Sequence, residues 1–137
     1  MDIFLSINNR EQVIKLPVLP SDFTIQTGMK NETYDTIGQG EIKLIGLPSL
    51  RAISLSSFFP AKDYPFLKDV TYKAWEYVEL LEQWKERRVP IRIVITDTPI
   101  NMSCSIESFE YGIEDGTGDI YYTLALSDFK FVQLRSV

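Results

Sequence analysis

Apolar positions alternate with polar ones over most of this chain and follow a helical period only once. Ile3, Leu5 and Ile7 alternate, and Ile14 and Leu16 follow the polar run Asn8-Asn9-Arg10-Glu11, which predicts a hairpin. Pro17 and Pro20 bracket Val18-Leu19 and favour an extended segment outside any ladder. Phe23 and Ile25 predict a further strand. From Gly28 to Gly40 the chain is poor in apolar residues and contains Gly28, Gly38 and Gly40. That predicts a long loop, a kind of segment that often carries function. Ile42 to Ile45 and Ala52 to Ser56 flank Gly46-Leu47-Pro48-Ser49 and read as a second hairpin.

The helical stretch is 71–88. Ala74, Tyr77, Val78, Leu81 and Trp84 fall on one stripe, with Glu76, Glu79, Glu82, Gln83 and Glu86 opposite. Lys85, Arg87 and Arg88 crowd the last turn, where cations complement the helix dipole. Asp69 or Thr71 is the expected cap, and Pro90 ends the helix because it lacks an N–H.

The last third is again strand-like. Ile91, Ile93 and Ile95 alternate, then Asp97-Thr98-Pro99 turns the chain. Met102, Cys104 and Ile106 share a face, but the apolar phase then shifts to Phe109, Tyr111 and Ile113. Beyond Asp115-Gly116-Thr117-Gly118, Ile120, Tyr122, Leu124 and Leu126 alternate before a second shift to Phe129 and Phe131. A period of two changes face only through a bulge or bend, so a long hairpin bent or bulged in both strands is expected. The predicted class is α+β: mainly antiparallel strands, in two packed sheets or a split barrel, with one flanking helix, in a single domain of residues 1–137.

Composition narrows the function. There is no histidine, which removes Ser-His-Asp and Cys-His catalysis and imidazole metal sites. The single cysteine, Cys104, allows no internal disulfide and no thiolate cage, and fits folding in a reducing compartment. A net charge of −5 with dispersed cations argues against a nucleic-acid partner. No run approaches the ~18 apolar residues of a membrane span, and the N-terminus lacks the pattern of a signal peptide.

The remaining constellations favour plain structural readings. Glu114, Asp115 and Asp119 around Gly116-Thr117-Gly118 lack the ligand spacing of a calcium loop. As solvated neighbours on a hairpin tip they also lack the environment of a glycosidase acid, and a turn explains them better. Gly38-Gln39-Gly40 runs into strand-like residues without a third glycine or a helix, unlike a phosphate-binding loop. Cys104 lies on an apolar strand face and reads as buried and inert. Trp84 reads as core, whereas Trp75 sits off the helix stripe and is a candidate contact with another chain. Two Asn-x-Ser/Thr matches, at Asn31 and Asn101, carry no weight without secretion. No catalytic residue, metal or cofactor is expected.

Four stretches together carry a resemblance: Gly40-Glu41-Ile42 through Gly46; Ile53 to Pro60 with Lys62-Asp63-Tyr64-Pro65-Phe66; Ala74-Trp75-Glu76-Tyr77-Val78 into Trp84; and Thr98 to Met102 leading to the run from Asp115 to Leu124. They resemble the N-terminal domain of the LysM-containing tail proteins of Gram-positive phages, defective prophages and phage-tail-like bacteriocins, of the XkdP type. The resemblance implies a structural baseplate subunit, an adaptor between the central hub or spike and the tail tube, sharing the fold of the tube. It also implies tail-tube, hub and baseplate wedge partners, a homo-oligomeric ring of six, no membrane partner, and assembly in the bacterial cytoplasm before a place in the particle. Members usually continue into a LysM module. The sequence reaches Val137 without one, so peptidoglycan binding through LysM does not carry over. A wall-carbohydrate module of the tail tip, using Trp75 or Tyr121, is the alternative, and a hydrolase a weaker third. Interface candidates are Gly28, Asn31, Tyr34, Gly38, Gly40, Trp75, Asp115, Gly116, Gly118 and Asp119.

Overall fold

A computed structural model describes residues 1–114 and 116–130. Among these residues nine strands and one helix follow in order: β1 (Ile3–Ile7), β2 (Gln12–Lys15), β3 (Thr24–Gln26), β4 (Glu32–Thr36), β5 (Gly40–Leu44), β6 (Ala52–Phe59), α1 (Ala74–Arg87), β7 (Ile91–Ile95), β8 (Asn101–Ile113) and β9 (Ile120–Asp128). Seven strands form one antiparallel sheet in the order β2-β1-β7-β8-β9-β6-β3, and β4 and β5 form a separate two-stranded sheet. The α+β class, mainly antiparallel with one helix, is therefore the fold.

The core follows the alternation. Ile3, Leu5, Ile7, Ile53, Leu55, Ile91, Ile93, Ile95, Leu124 and Leu126 are buried on one face of the large sheet, and α1 covers that face with Ala74, Tyr77, Val78, Leu81 and Trp84. These five are the stripe read from the sequence. Trp84 is fully buried, and its indole N–H donates to Gln12 Oε1 at 2.8 Å, which satisfies the one polar atom it brings inside. Phe59 lies stacked between Tyr77 and Tyr122, with centroids at 4.8 and 4.1 Å.

Four expectations are corrected. First, α1 begins later than the sequence suggests. Lys73, not Asp69 or Thr71, precedes the first turn, and the Glu76 carboxylate accepts from the Lys73 backbone N–H at 3.2 Å. Asp69 instead holds the backbone and hydroxyl of Thr71 in a local turn. At the other end Arg88 takes a left-handed conformation with φ 58°.

Second, the phase shift in β8 is a bulge, and the one at the end of β9 is not. Ile106 opposes Leu126 and Phe109 opposes Leu124, so three residues of β8 advance while β9 advances two. The surplus keeps both Ile106 and Phe109 on the inner side. In β9 the alternation continues unbroken to Asp128, which takes the next inward position and is buried; Phe129 follows the strand. Phe131 lies outside the described residues.

Third, β5 does not pair with β6 across Gly46-Leu47-Pro48-Ser49. It pairs with β4, while β6 lies between β9 and β3. Fourth, residues 28–40 are not a loop. They supply β4 and the turn of a hairpin whose every strand residue is exposed or, at Ile42, half-buried.

Candidate functional site

Among the described residues that hairpin packs on no other element. It is the far end of one ribbon that starts inside the large sheet. β3 pairs with β6, with Gln26 opposite Ala52; next comes an isolated bridge between Met29 and Pro48; then Glu32 opposes Leu44. Between each of these points the outgoing strand advances three residues and the returning strand four. Lys30 N–H donates to Leu47 O and Ser49 N–H to Gly28 O, both at 2.8 Å, so the root is bonded throughout. Residues 28–50 thus form an arm continuing the β3–β6 edge.

The tip is a three-residue loop, Ile37-Gly38-Gln39, closed by Gly40 at φ 72°. A left-handed glycine at this position is what a three-residue hairpin loop requires. Thr36 reinforces the turn: its hydroxyl donates to Gly40 O at 2.8 Å and accepts from Gln39 N–H at 3.2 Å. At the root, Asn31 Oδ1 accepts from Gly46 N–H at 3.0 Å. A Cβ on Gly46 would lie 1.8 Å from the carbonyl oxygen of Lys30, so only glycine lets the two strands approach here.

Pairing register divides the arm into two faces. Tyr34 opposes Ile42, and Glu32 opposes Leu44, so Tyr34, Ile42 and Leu44 share one face. Thr33 opposes Lys43, and Asp35 opposes Glu41, so the other face is polar and charged. The Tyr34 hydroxyl donates to the Glu32 carboxylate, which raises the phenol's pKa above its ordinary value. Seven of the fourteen large apolar side chains exposed among the described residues lie on the arm: Met29, Tyr34, Ile37, Leu44, Ile45, Leu47 and Leu50. A two-stranded hairpin of this kind is marginal alone and gains stability by being covered.

The expected interface residues separate into two groups. Gly28, Asn31, Tyr34, Gly38 and Gly40 are all exposed on the arm. Trp75, Gly116, Gly118 and Asp119 lie at the opposite end of the β6–β9–β8 strands, where Phe59, Ile120 and Ile113 stand side by side. Trp75 is 52% exposed and meets Tyr111 edge-on at 6.2 Å. Gly116 is exposed, and Gly118 sits at φ 86° beside Ala61. Asp115 lies outside the described residues.

Asp119 corrects the reading of a solvated hairpin tip. Its side chain is buried, 4% exposed. One oxygen accepts from Ala61 N–H at 2.8 Å and the other from the Tyr64 hydroxyl at 2.7 Å. The carboxylate therefore fastens the 60–66 segment to the hairpin. Tyr64 in turn stacks on Phe66 at 5.2 Å, and both meet Phe58 edge-on.

Cys104 is buried, and desolvation pushes its thiol up to about 11, so the nucleophilic thiolate is absent near neutral pH. Among the described residues no group of three or more His, Cys, Asp or Glu side chains is placed to hold a metal ion. No described helix is long and apolar enough to cross a membrane. Sequence reasoning missed the exposed apolar residues of the returning strand, Leu44, Ile45 and Leu47. Tyr34, Ile42 and Leu44 do alternate with Thr33, Asp35, Glu41 and Lys43, but it is the pairing of Tyr34 with Ile42 that gathers them on one apolar face.

The fold recurs in chains of gene transfer agent particles. A chain of the virion of a native gene transfer agent particle superposes with a TM-score of 0.57 at 16% identity, over 95% of this chain and 92% of that one. A chain from the tail of the empty gene transfer agent particle, refined with C6 symmetry, superposes with a TM-score of 0.56 at 18% identity, over 99% and 96%. At such identities the likeness establishes the shared fold. In sequence, the chain is 34% identical over 134 residues to YqbP, an uncharacterized protein of Bacillus subtilis strain 168. The match takes in 96% of this chain and 61% of YqbP, so the chain spans about three-fifths of that relative's length. No protein-family model matches the chain.

Proposed function

We propose that this chain is a structural subunit of a phage-type tail or contractile injection machine, an adaptor between the central hub or spike and the tail tube, repeated as a ring of six copies. The observation that carries the reading is the arm: a bonded ribbon with an apolar face that nothing among the described residues covers. A subunit built to be buried in an assembly has this form. The fold shared with tail-particle chains, one of them in a six-fold tail, supports the class and the copy number. The adaptor position rests on the sequence resemblance alone. A sugar-binding module using Trp75 or Tyr121 is less well supported, because Trp75 meets Tyr111 edge-on and Tyr121 is half-buried with its ring tilted against Phe58.

The test is to replace residues 31–45 by a short Gly-Ser turn in the parent particle. The deletion spares the helix stripe and the seven-stranded sheet, so the domain stays folded. Particles carrying it lack an assembled tube. Normal tails from the shortened chain would overturn the reading.

A further inference from the structure

The arm's charges select among the surfaces it can meet. Asp35 and Glu41 stand directly opposite each other next to the tip. Like charges at opposed positions repel, and neither carboxylate has an ion-pair partner among the described residues. The arm's cations, Lys30 and Lys43, lie nearer its root. The arm is thus apolar along one face and acidic at its end.

The opposite edge of the large sheet carries the complementary charge. A cleft beside β1 and β7 is lined by Asn8, Arg10, Pro90, Arg92 and Ser103. Arg92 donates to Asn101 Oδ1 and Ser103 Oγ, both at 2.8 Å; these neutral partners aim the guanidinium and leave its charge uncompensated. Arg10 ends a run of three left-handed residues, Asn8, Asn9 and Arg10, with φ of 45°, 54° and 70°. Such a run is costly for residues with a Cβ, and it holds Arg10 at the lip of the cleft. Pro90 also borders a second hollow, where Val89, Ile106 and Phe129 add apolar surface beside Arg88. Other cations nearby are spoken for, Arg87 by Glu11 and Lys85 by Glu82. Arg10, Arg88 and Arg92 have no ion-pair partner among the described residues.

We propose that the arm of one copy seats in the cleft around Pro90 of a second copy, the exposed Ile37 at its tip against Val89 and Pro90, and its Asp35–Glu41 pair against Arg10 and Arg92. This deepens the reading above and rests on it. Within one chain Asp35 and Glu41 are exposed and pair with none of Arg10, Arg88 and Arg92, so the contact is one between copies. Opposite edges that fit each other give a head-to-tail contact, which repeats from copy to copy and closes when the rotation allows.

A charge exchange tests it on the purified full chain. Asp35→Lys with Glu41→Lys reverses the arm, and Arg10→Glu with Arg92→Glu reverses the cleft. All four residues are exposed, and thermal melts check that each variant is folded. Sedimentation velocity over a concentration series reads self-association. Each reversed pair is expected to weaken it about tenfold or more, and the four-fold variant, or a mixture of the two reversed chains, to recover most of the loss. Wild-type chain that stays monomeric, reversed pairs that associate like wild type, or a four-fold variant that does not recover would each overturn the proposal. The arm deletion in particles reads independently: tails lost on deletion but indifferent to charge exchange would leave the structural role standing and remove this docking.

Discussion

Arg51 and Asp128 join the root of the arm to the end of β9 through a two-pronged fork. The guanidinium donates from Nε to Oδ2 at 2.8 Å and from an outer nitrogen to Oδ1 at 3.0 Å, and the Arg51 backbone N–H donates to Oδ2 as well. These bonds hold the Asp128 carboxyl below the usual carboxylate range, against the opposing effect of burial. A depressed folded-state value means that the ionised form is favoured by folding. The contribution is complete above the unfolded value of roughly 4 and fades as pH falls through the lower folded value. We expect Arg51→Gln to cost on the order of 1 kcal/mol at pH 7, since the guanidinium is half exposed. The gap should close in melts below about pH 4. A gap that does not change with pH would contradict this.

Asp119 makes a second, separable prediction. Asp119→Ala leaves Ala61 N–H and the Tyr64 hydroxyl without their acceptor, and should cost about 2–3 kcal/mol. Tyr64→Phe removes one of those bonds and should cost about 1 kcal/mol. Denaturant titrations of both variants give the comparison; equal losses would show that the clamp acts through Tyr64 alone.

Tyr122 is a case where removing a polar atom should do no harm. Its hydroxyl is buried without a hydrogen-bond partner among the described residues, while its ring stacks on Phe59. Burial raises its pKa strongly, so the phenol stays neutral. Tyr122→Phe keeps the stack and should be neutral or stabilising by up to about 1 kcal/mol. A loss above that range would reveal a partner for the hydroxyl.

Gly46→Ala should separate the arm from the body. The new Cβ collides with a backbone carbonyl rather than a flexible side-chain end, so the strands at the root must part. The expected result is a melting temperature close to wild type, because the sheet and α1 are untouched. Amide exchange should accelerate in residues 30–47, and assembly should fail as in the deletion. Unchanged exchange in that segment would refute it.

Local patterns were legible where one face of an element meets the core. The stripe Ala74-Tyr77-Val78-Leu81-Trp84 and the alternations in β1, β7 and β9 were readable because burial enforces a period. The bulge in β8 was readable for the same reason, since Ile106 and Phe109 fall out of phase unless one strand gains a residue. The arm was not, because an element that packs on nothing among the described residues is under no such constraint, and its glycines and charges imitate a loop. Ile42 to Ile45 look like a partner for β6 because they are near it in sequence; the actual partners are β3 and β9, the latter some 70 residues away. At the candidate site, the arm's location was marked by Gly28 to Gly40, but its apolar face needs the register of Tyr34 against Ile42, which only pairing supplies. Asp119 was read as solvated because its ligands, Ala61 and Tyr64, come from a distant segment.

The arm's pairing steps, four residues against three and then four against three again, both place the surplus in the returning strand. Two bonded strands of unequal length behave like a laminate with one layer cut long: the difference has to go into curl and twist. The bend is therefore written in residue count, independent of what the arm touches. It exists before any neighbour arrives, so a surface that takes up the arm would meet it already shaped, and less conformational freedom would be lost on contact.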